Sequence, residues 1–197
     1  MRPLYEINGA AAGLYWMTII VWIVSEFVIG VRQIPLSRGD LRQDRWSGPA
    51  LLGGVVLSVA VGARVAARIP GTTITTGRPV VFALGVAVAI AGIAFRQYAV
   101  ATLGRFFTTR VMTQPGQTVV QAGPYRYVRH PSYSGMLLTV LGVLLCSTDW
   151  LSLACFVLAL PGMAYRIKVE EGALIRALGE PYREYMRRTP RLVPFLV

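Results

Sequence analysis

The chain has 197 residues, 54% of them hydrophobic and 15% charged, with a mean hydropathy of +0.54. A soluble domain carries about 25% charged residues, so this composition excludes an ordinary soluble protein and places the chain in a bilayer. The formal net charge of +11 does not point to nucleic acid, because the basic residues are scattered between apolar runs and form no stripe or recognised binding motif.

A membrane span needs about 20 mostly apolar residues, with about 17 to 25 tolerated. Five stretches approach or meet that length, at 10–31, 46–63, 79–95, 131–148 and 150–165. The expected architecture is an all-α, polytopic membrane protein with five transmembrane helices, the last two forming a hairpin. It forms one membrane domain over 1–197, with amino-terminal helices in 1–97 and the functional core in 98–197. The first run reads as a retained helix, since Ala10, Ala11 and Ala12 precede its apolar core and Glu6 replaces a basic leader. Glu26 lies within it, where an ionisable group is costly and faces a partner or a cavity; pairing with Arg32 or snorkelling to the surface would satisfy it. Gly48, Gly53, Gly54, Gly62, Gly85 and Gly92 in the next two runs let helices approach closely.

The third run continues past Arg96 to Leu103, where Gly104 stops it. The connector from Arg105 to Arg129 holds Phe106, Phe107, Pro115, Gly116, Gly123 and Pro124, too apolar for a disordered tail and too broken for a helix. A connector of that length is more often functional than idle, and it is expected to form the lid or floor of a site.

His130 is the only histidine, in Arg129-His130-Pro131-Ser132-Tyr133. Proline is tolerated at the first helical position, so Pro131 should open a helix with His130 at its N-cap. The N–H groups of Ser132, Tyr133 and Ser134 are then expected to point outward, an anion site reinforced by Arg126 and Arg129. Cys146 and Cys155 belong to no CxxC or Cys/His cluster, so neither a metal site nor a disulfide is expected, and they read as small buried hydrophobes.

Ser147-Thr148-Asp149 is a tight turn that makes the last two helices antiparallel neighbours. The fifth helix should run on through Arg166 and Glu170 to Leu178 and end at Gly179. His130, Arg166 and Glu170 therefore share one neighbourhood. Arg166 and Glu170, four residues apart, can pair with each other or jointly line a pocket. After Pro181, Tyr182 to Arg188 alternates aromatic and basic groups, which suits a helix anchored at the headgroup level. Seven Lys and Arg follow Tyr165, four lie between Arg32 and Arg45, four lie from Arg105 to Arg129, and none occurs in 147–149. The positive-inside rule then puts the carboxyl terminus and the site on the cytoplasmic face. Arg usage with a single lysine, Lys168, hints at a GC-rich genome and a bacterial inner membrane.

Three segments resemble the isoprenylcysteine carboxyl methyltransferase family, which is related to the phospholipid N-methyltransferases. The first, Gly123 to Gly135, matches the family's Gly-x-Tyr followed by Arg-His-Pro-x-Tyr-x-Gly. The second is Glu170-Glu171 with Leu174, Gly179, Tyr182 and Tyr185 downstream, ending in Pro194-Phe195; the third is Leu103 to Phe107. The resemblance implies an S-adenosylmethionine-dependent membrane methyltransferase acting on a lipophilic acceptor, a carboxylate first, that enters from the membrane lipids. Carried over by position, it implies cofactor contacts at Gln117, Val119, Val120, Tyr125, His130, Pro131, Ser132, Tyr133 and Glu170. It makes Arg166 the substrate-side arginine and gives Arg166 and Glu170 the catalytic roles. Where the family often carries a connector histidine, this chain has Gln117. The competing readings are a sterol-reductase-like enzyme using NADPH and a membrane binding protein without turnover.

Overall fold

The computed structural model describes residues 2–33, 45–108 and 116–193. Among them the elements are helical: α1 (Leu4–Ile7), α2 (Gly9–Gln33), α3 (Ser47–Arg68), α4 (Arg78–Leu103), α5 (Pro131–Leu145), α6 (Trp150–Ala154), α7 (Leu160–Leu178) and α8 (Glu180–Arg188). A 3₁₀ stretch, Cys155–Ala159, joins α6 to α7, so the chain from Trp150 to Leu178 is one 29-residue rod.

Four helices are long and apolar enough to cross a membrane, Gly9–Arg32, Ser47–Arg68, Arg78–Phe106 and Trp150–Leu178. Their outer faces are apolar, with Trp16, Met17, Ile20 and Phe27 on α2 each more than half exposed. An apolar surface of that extent needs lipid around it. The chain is a multi-pass membrane protein. The remaining expected span, from Pro131, is a helix of 15 residues, about 22 Å at 1.5 Å per residue against a hydrocarbon core of about 30 Å.

That short helix packs along α4 with backbones almost touching. A Cβ on Gly92 would stand 2.5 Å from the Thr139 amide nitrogen, and one on Gly135 would stand 2.7 Å from that of Arg96. Gly85 and Gly142 make the same kind of approach to Cys146 and Ala89. Small residues recurring on both helices thus replace interdigitating side chains with backbone contact. Gly54 packs on Leu158 and Ala159 in the same way, whereas Gly53, expected to pack, has nothing within 4 Å of where its Cβ would be. Val55, Tyr133, Met136, Val140, Leu144, Ala159, Met163 and Ile167 close the core between α3, α5 and α7.

The helix ends are staggered. The Ile74 amide donates to Thr148 O at 2.8 Å, which levels the far end of α5 with the start of α4. Asp149 caps α6 through the Ser152 amide at 2.8 Å and accepts from Thr72 Oγ1 at 2.7 Å, fixing the turn on that side. At the other end Arg96 lies level with Gly135, which puts the start of α5 level with about Val100, and α4 runs on to Leu103, about 5 Å past the start of α5. Across α5, Tyr133 meets Glu170, and α7 runs on to Leu178. The start of α5 is therefore the floor of a recess walled by two longer helices.

Candidate functional site

His130 takes the N-cap position and Pro131 the first helical position of α5. The amides of Tyr133 and Ser134 are not outward-facing donors: both donate to His130 O, at 3.0 and 3.1 Å. The turn closes on its own cap carbonyl, which corrects the expectation of an open anion site there. Arg126 is exposed, with its guanidinium 6.0 Å from the Tyr127 ring centroid, and faces away from the recess.

The recess is a narrow cleft between the helix ends. Leu103, Phe106 and Phe107 line it from the α4 side, Gln117, Val119 and Val120 from the connector, and Ala173, Leu174 and Leu178 from α7. Tyr125, His130, Ser132, Tyr133 and Glu170 complete it. The connector is a wall of the site, as its length implied; its residues 109–115 lie outside the described residues, as does Pro194-Phe195. Pro131 is buried in the turn and does not line the cleft, nor does Arg166.

Two adjacent carboxylates have different surroundings. Glu170, its side chain 30% exposed, accepts from the Tyr133 hydroxyl at 2.5 Å and lies 4.0 Å from Arg166 Nε. Arg166 is buried behind that pair, donating Nε–H to Tyr133 Oη at 3.1 Å and Nη1–H to Ser47 Oγ at 2.9 Å. Glu171, next in sequence and so about 100° around the helix, points away from the cleft. Arg129 reaches it at 3.0 Å, Arg191 Nη2 at 3.0 Å and His130 Nε2 at 3.3 Å. His130 is thus tied to Glu171, while it stacks on Tyr133 with centroids 5.6 Å apart. The predicted neighbourhood of His130, Arg166 and Glu170 forms, with Tyr133 as its centre.

The carboxyl-terminal segment is latched onto this corner. Arg129 N donates to Pro190 O at 2.8 Å, His130 N to Arg191 O at 2.9 Å, and Arg129 Nη1 to the carbonyls of Met186 and Thr189 at 2.6 Å. Tyr182 and Tyr185 of α8 turn inward and line the cleft, and Tyr185 Oη donates to Tyr125 O at 2.6 Å. The basic face of α8 is exposed, but its tyrosines build the site instead of anchoring in headgroups. Burial raises the phenols of Tyr125, Tyr182 and Tyr185 well above their ordinary value, helped at Tyr125 by the nearby charge of Glu170 and at Tyr182 by Glu171. All three remain neutral donors at physiological pH.

Sequence reasoning missed Glu171 as a hub, Arg191 as its partner, and the pairing of Glu26. The last is not with Arg32 but with Arg96 on α4, at 2.5 and 2.8 Å. The doubled carboxylate on one helix was the available signal for Glu171: two neighbours cannot face the same cavity. Nothing local to Arg191 announced its role.

The fold and site define an all-helical, multi-pass membrane protein with a polar cleft recessed between helix ends. Residues 84–176 match the model of the isoprenylcysteine carboxyl methyltransferase (ICMT) family. The chain is 36% identical over 116 residues to protein-S-isoprenylcysteine O-methyltransferase B of Arabidopsis thaliana, covering 57% of this chain and 58% of that protein. It is likewise 36% identical over 118 residues to a probable protein-S-isoprenylcysteine O-methyltransferase of Oryza sativa subsp. indica, covering 57% and 61%. The matched region thus spans about three-fifths of the length of these relatives. The solved structure of the eukaryotic intramembrane Ras methyltransferase ICMT superposes with a TM-score of 0.66 at 20% identity, over 94% of this chain and 66% of that one. That likeness establishes the fold.

Proposed function

We propose that the chain is an S-adenosylmethionine-dependent membrane methyltransferase that esterifies a carboxylate on a lipophilic, prenylated acceptor. The observation that carries this reading is the recessed cleft in which one partly exposed carboxylate, Glu170, stands among tyrosine and phenylalanine side chains. This donor set fits the cofactor. A carboxylate and aromatic faces attract its sulfonium and ammonium groups, and flat rings suit a purine. Gln117, Val119, Val120, Tyr125, His130, Ser132, Tyr133 and Glu170 would hold it, with Pro131 shaping the turn beneath. When bound, S-adenosylmethionine supplies a methyl group activated by positive charge on sulfur.

The chain's own residues then orient and desolvate. Tyr133 fixes the Glu170 carboxylate by donating to it, and Arg166 fixes Tyr133. Arg166, buried behind Tyr133 and outside the cleft lining, bears on the acceptor's carboxylate through that bridge. That acceptor is already ionised at neutral pH and needs no general base, so alignment and exclusion of water dominate. A recess about 5 Å below the end of α4 lets an acceptor keep its hydrocarbon in lipid while its head reaches Glu170. α5 with its flanking turns completes a fifth crossing. The charge distribution of the loops supports a cytoplasmic cleft and carboxyl terminus, and the use of arginine over lysine, with Lys168 the single lysine, supports a bacterial inner membrane.

The test is methyl transfer in liposomes holding the purified chain, methyl-tritiated S-adenosylmethionine and an N-acetylated farnesylcysteine. Label in the lipid extract that mild alkali releases as volatile methanol supports the reading. Alkali-stable label means amine methylation, and cofactor retention without transfer means a binding protein; either result overturns carboxyl methylation.

A further inference from the structure

Glu26 on α2 and Arg96 on α4 form a two-pronged ion pair, Nε to Oε1 at 2.5 Å and Nη2 to Oε2 at 2.8 Å. Within a span neither charge is tolerable without the other, so the pair could simply staple two helices together. Gln97 and Ser25, the adjacent residues, already do so through Nε2 to Oγ at 2.6 Å. Arg96 does more. Its third nitrogen, Nη1, crosses to α5 and donates to Ser132 Oγ at 2.6 Å and Ser132 O at 3.1 Å. It can reach because Gly135 leaves no side chain between α5 and the Arg96 backbone. Arg96 itself is 5% exposed and does not line the cleft, whereas Ser132 does.

A serine hydroxyl has one proton to donate and two lone pairs. With an arginine donating into it, the oxygen is committed as acceptor on the protein side, and its proton is left to donate elsewhere. Arginine cannot lose its own proton, so this polarity is fixed at any physiological pH. We infer that Arg96, held by Glu26, is a positioning residue that sets Ser132 as a hydrogen-bond donor toward an acceptor oxygen of the cofactor. The amino-terminal half of the chain thereby takes part in the site through Glu26. The inference rests on the methyltransferase reading.

A double-mutant cycle on the KM for S-adenosylmethionine tests it. Arg96→Lys keeps a charge for Glu26 but cannot hold both Glu26 and Ser132 in the planar fork; Ser132→Ala removes the other end. Each single variant is expected to raise the KM about tenfold with a smaller effect on kcat, and the double variant no more than the worse single one, because coupled residues are not additive. Glu26→Asp, which draws the guanidinium away from Ser132, should reproduce the Arg96→Lys effect and supplies the answer if Arg96→Lys does not fold. A merely structural arginine would lower the melting temperature and give multiplicative KM effects, about a hundredfold in the double variant. That outcome, or an unchanged KM in Arg96→Lys or Glu26→Asp, overturns the inference while leaving the function standing. A wild-type chain that binds no S-adenosylmethionine overturns both.

Discussion

Tyr133 donates its hydroxyl to Glu170 at 2.5 Å and accepts from Arg166 Nε at 3.1 Å, so one phenol bridges a guanidinium and a carboxylate that otherwise stand 4.0 Å apart. In Tyr133→Phe the ring still fills its place in the core while the bridge is lost. We expect the protein to fold and kcat/KM to drop at least about tenfold, about 1.4 kcal/mol. Arg166→Ala and Glu170→Ala should each cost at least as much, since removing one partner of a desolvated charged pair commonly costs about 2 to 5 kcal/mol. Initial rates of methyl transfer at matched protein levels check all three; wild-type rates in the alanine variants would refute the assignment.

Glu170 and Glu171 should separate stability from activity. Glu171→Ala strands the buried His130, leaves the half-buried Arg129 with only its carbonyl partners, and releases Arg191 from the tail latch. Breaking a buried charge cluster from one side costs about 3 to 5 kcal/mol, so the melting temperature in detergent should fall by many degrees. Glu170 is partly exposed, and Glu170→Ala should move it by a few degrees at most while abolishing most turnover. Equal melting temperatures in the two variants would contradict the division of roles.

Backbone contact between α4 and α5 predicts a steric contrast. A side chain at Gly142 would collide with Ala89 N and Gly85 O, neither of which can swing aside. Gly142→Val should therefore cost more than the about 1 to 3 kcal/mol of ordinary overpacking and impair accumulation of folded protein. Gly53→Val, with open space at the corresponding atom, should be close to neutral. Size-exclusion profiles and thermal unfolding of the two variants distinguish them directly.

What was legible in the sequence follows from which forces act locally. Hydropathy over about 20 residues marks a span, so 10–31, 79–95 and 150–165 lie within longer helices and 46–63 does so from Ser47 on, and Gly104 and Gly179 end theirs with positive φ. The Pro131 cap was readable because proline at the first helical turn is a local preference. Partner choice was not. Glu26 pairs with Arg96, 70 residues away, and not with Arg32 on its own helix; only the close approach of α4 and α5 and the packing of α2 against them decide that. Tyr182 and Tyr185 read as headgroup anchors because an amphipathic pattern states that one face is apolar, without stating whether lipid or protein covers it.

The inward tyrosines also predict an alkaline limit. Tyr125, Tyr182 and Tyr185 have their pKa values raised in the folded protein, first by burial. In the unfolded chain a tyrosine loses its proton near its ordinary value of about 10. Above that pH the unfolded state binds fewer protons than the folded one, so stability falls as pH rises. The contribution of these phenols is fully present below about pH 10 and is lost as pH climbs above it. Melting temperature followed from about pH 8 to about pH 11 should stay level at first and then decline, with tyrosinate absorbance appearing together with unfolding. Tyr185→Phe removes one of the three groups and should make the alkaline decline shallower. Below pH 9 the same variant should be less stable than wild type by about 1 kcal/mol, because the hydrogen bond to Tyr125 O is gone. Tyrosinate absorbance that rises near pH 10 while the protein remains folded would show that these phenols are open to water, and the cleft could not then be the desolvated site described above.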